Sequence, residues 1–340
     1  MGGARAPSET LAAAGAPRGD DSAPEVSRSI HSAGEPVPAP PLDVSVVVVT
    51  YDALPWLDRC LDSVVSTTAA ATVVVDHGST DGTRQVVRER FPAARLVEQP
   101  NRGLAAGWNR GIAETSGRYV LILNADAWLE PGALERLVAY ADEHPEAAVV
   151  GPRLRNTDGS LQRSVRGFPT LWRLATEYLF LRKLAPRSRV LNAFYAGGFA
   201  HDEPREAEFL MGACLLVRRA AIDEVGPLDE SYFIFSEETD WCYRFVRAGW
   251  KVLFFPGAEV VHVGGASHGG RFFREQVLGH VRFLWKHRGE REAERARRLL
   301  VVALRLRGVL FRGERGRMYA DAARFLGSAP ARELLERPAR

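Results

Sequence analysis

The stretch VSVVVVTYD, residues 44–52, decides the fold. Five of its first six residues are valine, and no polar residue alternates with them beyond Ser45. A continuous β-branched run of this kind is a strand buried on both faces, the usual state inside a parallel sheet. Its end is polar: Thr50, Tyr51, Asp52. Working outward, residues 54–66 have helical spacing with Pro55 near the start, and TVVVDHGSTDGT (72–83) is a second buried strand closing on a Gly-rich turn. A helix over 83–91, a short strand over 94–100 and a Gly-studded helix over 104–115 follow. RYVLILNADAW is a fourth strand, PGALERLVAYADEHP a helix bounded by Pro131 and Pro145, and 147–154 a fifth strand. Strands alternating with helices at this pace predict an α/β domain with a mostly parallel sheet.

In such sheets ligands bind beyond the carboxyl ends of the strands. That rule selects three clusters, Thr50-Tyr51-Asp52, Asp76-His77-Gly78 and Asn124-Ala125-Asp126, and predicts that they share one rim. No GxGxxG follows the first strand and there is no GxxxxGK[ST], so the backbone cradles of dinucleotide and ATP sites are missing. The strand ends carry carboxylates instead, which repel a phosphate unless a divalent cation lies between them. Mg²⁺ or Mn²⁺ held by one or two protein oxygens and by diphosphate oxygens resolves the conflict. Asp126 is the best-placed ligand and Asn124 a neutral helper; an ordinary polar turn fits N-x-D equally well.

Several short motifs in register resemble glycosyltransferase family 2: TYD, DHGSTDGT, NRGLAAGWNRGI and NADA, then FLMGACLLVRRAAIDEVGPLDESYFIFSEETDWCYRFVRAGWKV and HVGGASHGG. Within it the pattern is most similar to bacterial rhamnosyl- and related sugar transferases of surface polysaccharide assembly. The resemblance runs over about residues 44–270. It implies the GT-A fold, a Rossmann-like mixed, mostly parallel sheet flanked by helices, here with a C-terminal helical extension. Residues 42–154 would form the nucleotide-sugar half and 155–270 the acceptor half. It further implies an inverting transfer from a nucleotide-diphospho-sugar (dTDP-rhamnose or UDP-sugar type) to a hydroxyl of a lipid-linked or cell-surface glycan. Thr50, Tyr51 and Asp52 would border the nucleotide, Asp76 would hold its uridine or thymidine, and Asn109 and Asn124 would line the same side. Asp126 and His262 would bind the metal, and Glu238 would be the general base.

Three departures stand out. Asp52 and His77 replace the family's usual asparagines, and Glu238 stands where Asp is usual after Glu237, so Glu237 or Asp240 could serve instead. Two other readings remain: a non-catalytic protein that binds nucleotide sugar or a partner, and a sugar-1-phosphate nucleotidyltransferase, for which TYDALPW lacks the Gly-rich basic loop. Asp81 reads as a helix cap. His262 on an apolar strand also reads as a core histidine. Arg163 and Arg166 could meet acceptor phosphates or form a solvated pair. Trp108, Trp172, Trp241 and Trp250 read as core or wall residues, with Trp172 and Tyr195 able to stack on sugar.

Charge is uneven along the 340 residues: net −2 over 1–41, −5 over 42–270 and +10 over 271–340. The first segment holds seven of 20 prolines and no aromatic residue, so it is expected to be disordered. It shows no signal-peptide pattern, and Cys60, Cys214 and Cys242 form no CxxC, which suits a reducing compartment. The resemblance places the chain in the cytoplasm or on the inner face of the plasma membrane. Residues 295–317, apolar runs broken by Arg, fit a helix lying in a membrane interface. They fit a helix packed on the protein with a basic outer face equally well. No motif that reads nucleic acid accompanies the charge.

Overall fold

The valine run forms β1 (Val44–Thr50), every residue of it buried. In the computed structural model, which describes residues 42–65, 71–264 and 272–336, β1 lies between β2 (Thr72–Asp76) and the strand Tyr119–Asn124, parallel to both. The strand Arg95–Glu98, β3, continues the sheet beyond β2, and Tyr119–Asn124 is β4. The connections are α1 (Leu54–Val65), α2 (Thr83–Arg90) and α3 (Leu104–Ala113). A short strand absent from the sequence reading, β5 (Ala127–Leu129), precedes α4 (Ala133–Glu143) and β6 (Ala147–Arg155).

The side chains of β1 explain why both faces must be apolar. Val44, Val46 and Val48 enter one cluster with Leu57, Leu61, Leu134 and Leu137 from α1 and α4. Val47 and Val49 enter a second with Trp108 and Ile112 of α3 and Trp241 and Phe245 further on. The alternation is the pleat of the strand, and each fully buried aliphatic side chain contributes about 1.5–3 kcal/mol. Helix α3 reaches the sheet because its facing positions lack side chains. A Cβ on Gly111 would fall 2.2 Å from Val47, and one on Gly107 2.6 Å from the His77 ring.

The segment after β6, where no period is visible in the sequence, forms a hairpin strand β7 (Leu161–Gln162), then β8 (Val165–Arg166), α5 (Leu171–Tyr178), α6 (Leu181–Leu184) and β9 (Arg205–Ala207). Next come β10 (Phe209–Leu210), β11 (Cys214–Arg218), α7 (Arg219–Val225) and α8 (Glu237–Arg247). In sequence, KVLFFPGAEVVHVGG (251–265) reads as a strand, a turn and a strand, but residues 251–262 form one strand, β12 (Lys251–His262). Its register on β6 jumps between Phe255 and Glu259, so the residues between bulge out while both flanks keep pairing. The main sheet runs β3-β2-β1-β4-β11-β6-β12-β5, with β7 on β6 and β9 on β12. β11 is antiparallel to both β4 and β6, which makes the sheet mixed and mostly parallel.

Four helices follow: α9 (Phe273–Arg288), α10 (Glu290–Leu310), α11 (Gly313–Gly327) and α12 (Ala331–Glu336). They build a third apolar cluster around Val281, Leu300, Leu304 and Leu326, which takes in Leu174 and Tyr178 of α5. The basic run at 295–317 is therefore packed on protein along one face, through Ala296, Leu300, Ala303 and Leu304. Among the described residues no helix is long and apolar enough to cross a membrane. The expectation of disorder over 1–41, and the GASHGG part of the last motif, lie outside the described residues.

Candidate active site

Register alone gathers the strand ends. Thr50 pairs with Asp76, and Val49 with Asn124, so the three polar clusters form one rim. The DHGSTDGT turn is organised by its acids. Asp76, fully buried, accepts from the backbone N–H groups of Gly78 and Ser79 with Oδ2, both at 3.0 Å. That is how the turn closes with His77 in place of the usual asparagine. The His77 ring turns toward Gln99, 3.0 Å away, and its burial lowers the imidazole pKa. Asp81 caps two helices at once, accepting from Leu54 N–H of α1 at 2.9 Å and Thr83 N–H of α2 at 3.0 Å. Asp52, in left-handed backbone (φ 48°), accepts from Thr80 N–H at 2.7 Å, so its carboxylate faces the second turn. Two buried oxygens on the rim, Asp76 Oδ1 and Thr50 Oγ1, have no hydrogen-bond partner among the described residues. Tyr51 beside them is 47% exposed.

Asp126 and His262 meet because β5 pairs antiparallel with β12, His262 opposite Ala127. His262 Nε2 lies 3.4 Å from Asp126 Oδ1 and 3.4 Å from Asn124 Nδ2. The other ring nitrogen, Nδ1, lies 2.7 Å from Gln162 Oε1 on β7, which sets the ring orientation. Burial would raise the Asp126 carboxyl, but the His262 contact and backbone donors outweigh it and hold it below the usual range. A carboxylate oxygen and an imidazole nitrogen, both nearly buried and side by side, suit a divalent cation. Their separation is close to the roughly 3 Å between neighbouring ligands on a small octahedral ion. Among the described residues no group of three His, Cys, Asp or Glu converges on one point, so any further ligands come from elsewhere.

Glu238, in the first turn of α8, lies against the turn that leads into β11. Asn124 N–H donates to Ala213 O at 3.0 Å, and the preceding Gly212 lies beside the Glu238 side chain. A Cβ there would come to 2.9 Å from Trp108 and 3.5 Å from the Glu238 side chain, so only glycine fits. Phe235 and Ser236, just ahead of α8, are both left-handed (φ 68° and 73°), an uncommon conformation for such residues that clusters at functional sites. Two carboxyls follow. Glu237 is 2% exposed, and burial, aided by the Glu238 charge, pushes it well above the usual range. Glu238 is half-buried; burial raises it too, opposed in part by the Arg166 charge. Each keeps a buried Oε2 without a hydrogen-bond partner among the described residues. Only Glu238 is open enough for a substrate hydroxyl to reach. Asp240 is engaged otherwise: His287 Nε2 stands 2.7 Å, Lys286 Nζ 2.9 Å and Arg244 Nε 2.9 Å from its oxygens.

Other expected positions differ. Both ends of the Asn109 amide hold the turn after α7, with Nδ2 donating to Leu228 O and Oδ1 accepting Leu228 N–H, each at 2.9 Å. Asn109 therefore fastens the turn after α7 and has no donor left for a nucleotide other than the one shared with Glu230. Trp108 and Trp241 are core, while Trp172 is 49% exposed with its Nε1–H on Val190 O. The Tyr195 ring is flanked by Arg166 and Arg182. Arg163 is exposed and donates to Phe199 O. Arg166 lines a cleft of about 210 Å³ with Arg173, Arg189 and Arg205. Arg173 is paired with Glu208, but among the described residues Arg166, Arg189 and Arg205 have no carboxylate partner. Gln162, Lys286 and His287 escaped the sequence reading because each acts on a group tens of residues away, with no local motif to mark it.

The sequence model of glycosyl transferase family 2 matches residues 45–226. The chain belongs to glycosyltransferase family 2. It is 36% identical over 238 residues to the N-acetylglucosaminyl-diphospho-decaprenol L-rhamnosyltransferase of Mycobacterium tuberculosis, over 66% of this chain and 77% of that protein. The glycosyltransferase GlyA of Streptococcus pneumoniae is 33% identical over 113 residues, 32% of this chain and 16% of its own. Among solved structures, GalNAc-T7 with UDP, GalNAc and Mn²⁺ superposes with a TM-score of 0.53 at 16% identity, over 87% of this chain and 58% of that one. That likeness establishes the GT-A-type architecture of this family 2 transferase.

Proposed function

We propose that the protein transfers a deoxyhexose of the rhamnose type from a nucleoside-diphosphate donor to a hydroxyl of a lipid-diphosphate-linked glycan, with inversion at the anomeric carbon. The similar mycobacterial protein, by its name, acts on N-acetylglucosaminyl-diphospho-decaprenol, and the arginine-lined cleft, whose Arg166 also acts on Glu238, suits an acceptor of that charge. The observation that carries the reading is the pairing of Asp126 with His262 on the same rim as the unpartnered Thr50 Oγ1 and Asp76 Oδ1. A uracil or thymine ring with its ribose can supply the missing partners, with Tyr51 beside it. Asp126 and His262 would hold a divalent cation, which when bound supplies positive charge to a departing diphosphate.

The remaining work falls to Glu238. An acceptor hydroxyl holds its proton far above neutral pH, so a carboxylate must take that proton as the new bond forms. The hydroxyl oxygen bonds to the anomeric carbon, the carbon–oxygen bond to the diphosphate breaks, and the proton ends on Glu238. A raised carboxyl pKa makes Glu238 a stronger base than a solvated glutamate. Gly212 lies close against its side chain, and a Cβ there would touch Glu238 and crowd Trp108. Glu238→Gln tests the assignment: turnover with a lipid-diphosphate acceptor should fall at least about 10²–10⁴-fold, while binding of the donor nucleotide, read by calorimetry, persists. Unchanged turnover would remove Glu238 as the base, and a native protein that binds donor but transfers nothing would point to a non-catalytic role.

A further inference from the structure

Of the ten large apolar side chains most exposed among the described residues, seven lie on α5, α6, the loop after it and α10. Four of these form one stripe on α10. Val302, Leu306, Val309 and Leu310 follow the i, i+4, i+7, i+8 spacing of a single helix face and are 45–83% exposed. This face is separate from the one that packs on α5, α9 and α11. It is confined to the C-terminal half of the helix, since the same side of the N-terminal half carries Arg291, Arg295 and Arg298.

Leu184 of α6, 78% exposed, belongs to the same corner. Arg307, nearly buried on α10, donates to Tyr178 O and Glu177 O at the end of α5 and lies over the Phe180 ring that opens α6. The Phe180 ring in turn sits 5.8 Å from the Phe311 ring just past α10. The buried cation satisfies the last carbonyls of α5 and so fixes the tip of α6 against the end of α10. Around this apolar corner stand Lys183, Arg305, Arg312, Arg315 and Arg317, all exposed. Among the described residues none of these four arginines has a carboxylate within ion-pairing distance, unlike Arg295, Arg297 and Arg298 further up the helix.

We infer that the C-terminal half of α10 together with α6 inserts into the headgroup region of an anionic phospholipid bilayer. Val302, Leu306, Val309, Leu310 and Leu184 reach the acyl boundary, and the surrounding arginines and Lys183 meet lipid phosphates. The composition selects this occupant: a protein partner that filled an apolar stripe would leave the unpaired arginine rim without counter-charge, whereas an anionic membrane satisfies both. The inference goes beyond the transferase reading and does not depend on it.

The test is sedimentation of the full chain with vesicles containing phosphatidylglycerol, and with vesicles of phosphatidylcholine alone. The native chain should bind the anionic vesicles more tightly, with affinity falling as salt rises. The double variant Val309→Glu, Leu310→Glu should bind about tenfold more weakly or worse, with an unchanged melting temperature and unchanged transfer to a short-chain, water-soluble acceptor. Arg312→Glu with Arg315→Glu should erase the preference for anionic lipid. Native-like vesicle binding by either folded variant would overturn the inference, as would failure of the native chain to bind. So would a dimer of the native chain, seen by sedimentation velocity without lipid, that Val309→Glu and Leu310→Glu dissolve.

Discussion

His262 Nε2 stands 3.4 Å from Asp126 Oδ1, although 136 positions separate the two in the chain. The pairing of β12 with β5 makes the contact, and Gln162 orients the ring from the other side. If this pair holds the cation, Asp126→Asn and His262→Ala should each raise the Mn²⁺ concentration for half-maximal activity more than tenfold. Gln162→Leu, which removes the ring's Nδ1 partner along with the Gln162 bonds to Asn156 Oδ1 and His262 O, should raise it about tenfold. Equal metal titrations for the native chain and all three variants would remove the pair from metal binding.

Glu238 and Arg166 predict a pH dependence with a definite sign. Burial raises the Glu238 carboxyl, and the neighbouring guanidinium partly restrains it. Turnover should therefore fall on the acid side at a pH above the ordinary glutamate value of about 4.3. Arg166→Met removes the cation that favours the carboxylate, so the acid limb should move to still higher pH. Arg163→Met, whose side chain is exposed, should leave it in place. A limb that Arg166→Met does not move means that another group controls the rate.

Glu237 is sealed from solvent and its carboxyl is raised by burial and by Glu238. A group whose folded pKa is raised favours the folded state below its unfolded value, near 4.3, and that contribution is lost as pH rises through the folded value. Glu237→Gln keeps the shape without the ionisation. Its melting temperature should exceed the native one by a margin that widens from pH 5 to pH 8. A margin independent of pH would mean that Glu237 does not titrate in that window.

The Asp240 network joins the C-terminal helices to the active site. His287 and Lys286 of α9 hold the acid of α8, and Lys286 also reaches Asp229, 2.7 Å away in the turn after α7. Burial would raise Asp229, but Lys286 and the Ser231 donors bring it down to about 2. Asp240→Asn should destabilise the protein by about 2–4 kcal/mol at pH 7, because it replaces a fully buried carboxylate held by Lys286, His287 and Arg244 with an amide that cannot serve all three. The folded pKa of Asp240 is depressed, so the loss should be full above about pH 4 and shrink as pH falls further. His287→Ala should lower kcat with little change in KM for the donor, since it loosens α8 and leaves the nucleotide rim intact. Denaturant melts and initial rates together check both statements.

The sheet was legible because its causes are local. The β-branched runs at 44–50, 72–76 and 119–124 cannot be solvated, and the turns DHGSTDGT and NADA mark where each must stop. Gly107 and Gly111 are legible as glycines, but their reason, the 2.2–2.6 Å that a Cβ would leave to Val47 and His77, is not. The segment between β6 and β10 was opaque because its helix α5 takes its apolar partners from α9 and α10, more than 100 residues later. The single bulged β12 looks like two strands in sequence because Pro256 and Gly257 resemble a turn in isolation, and only β6 holds both flanks in one ladder.

Sequence by itself determined that carboxylates end the central strands, that they share a rim, and which acids stand there, because hydrophobic period and strand polarity are properties of short windows. Tertiary structure alone decided which of those acids remain unengaged. Asp240 and Asn109 have the right chemistry and are held by His287, Lys286 and Leu228, whereas Asp76 Oδ1, Thr50 Oγ1 and Glu238 Oε2 are left without partners. Whether a polar group is satisfied depends on atoms brought from distant parts of the chain, and only packing says which those are.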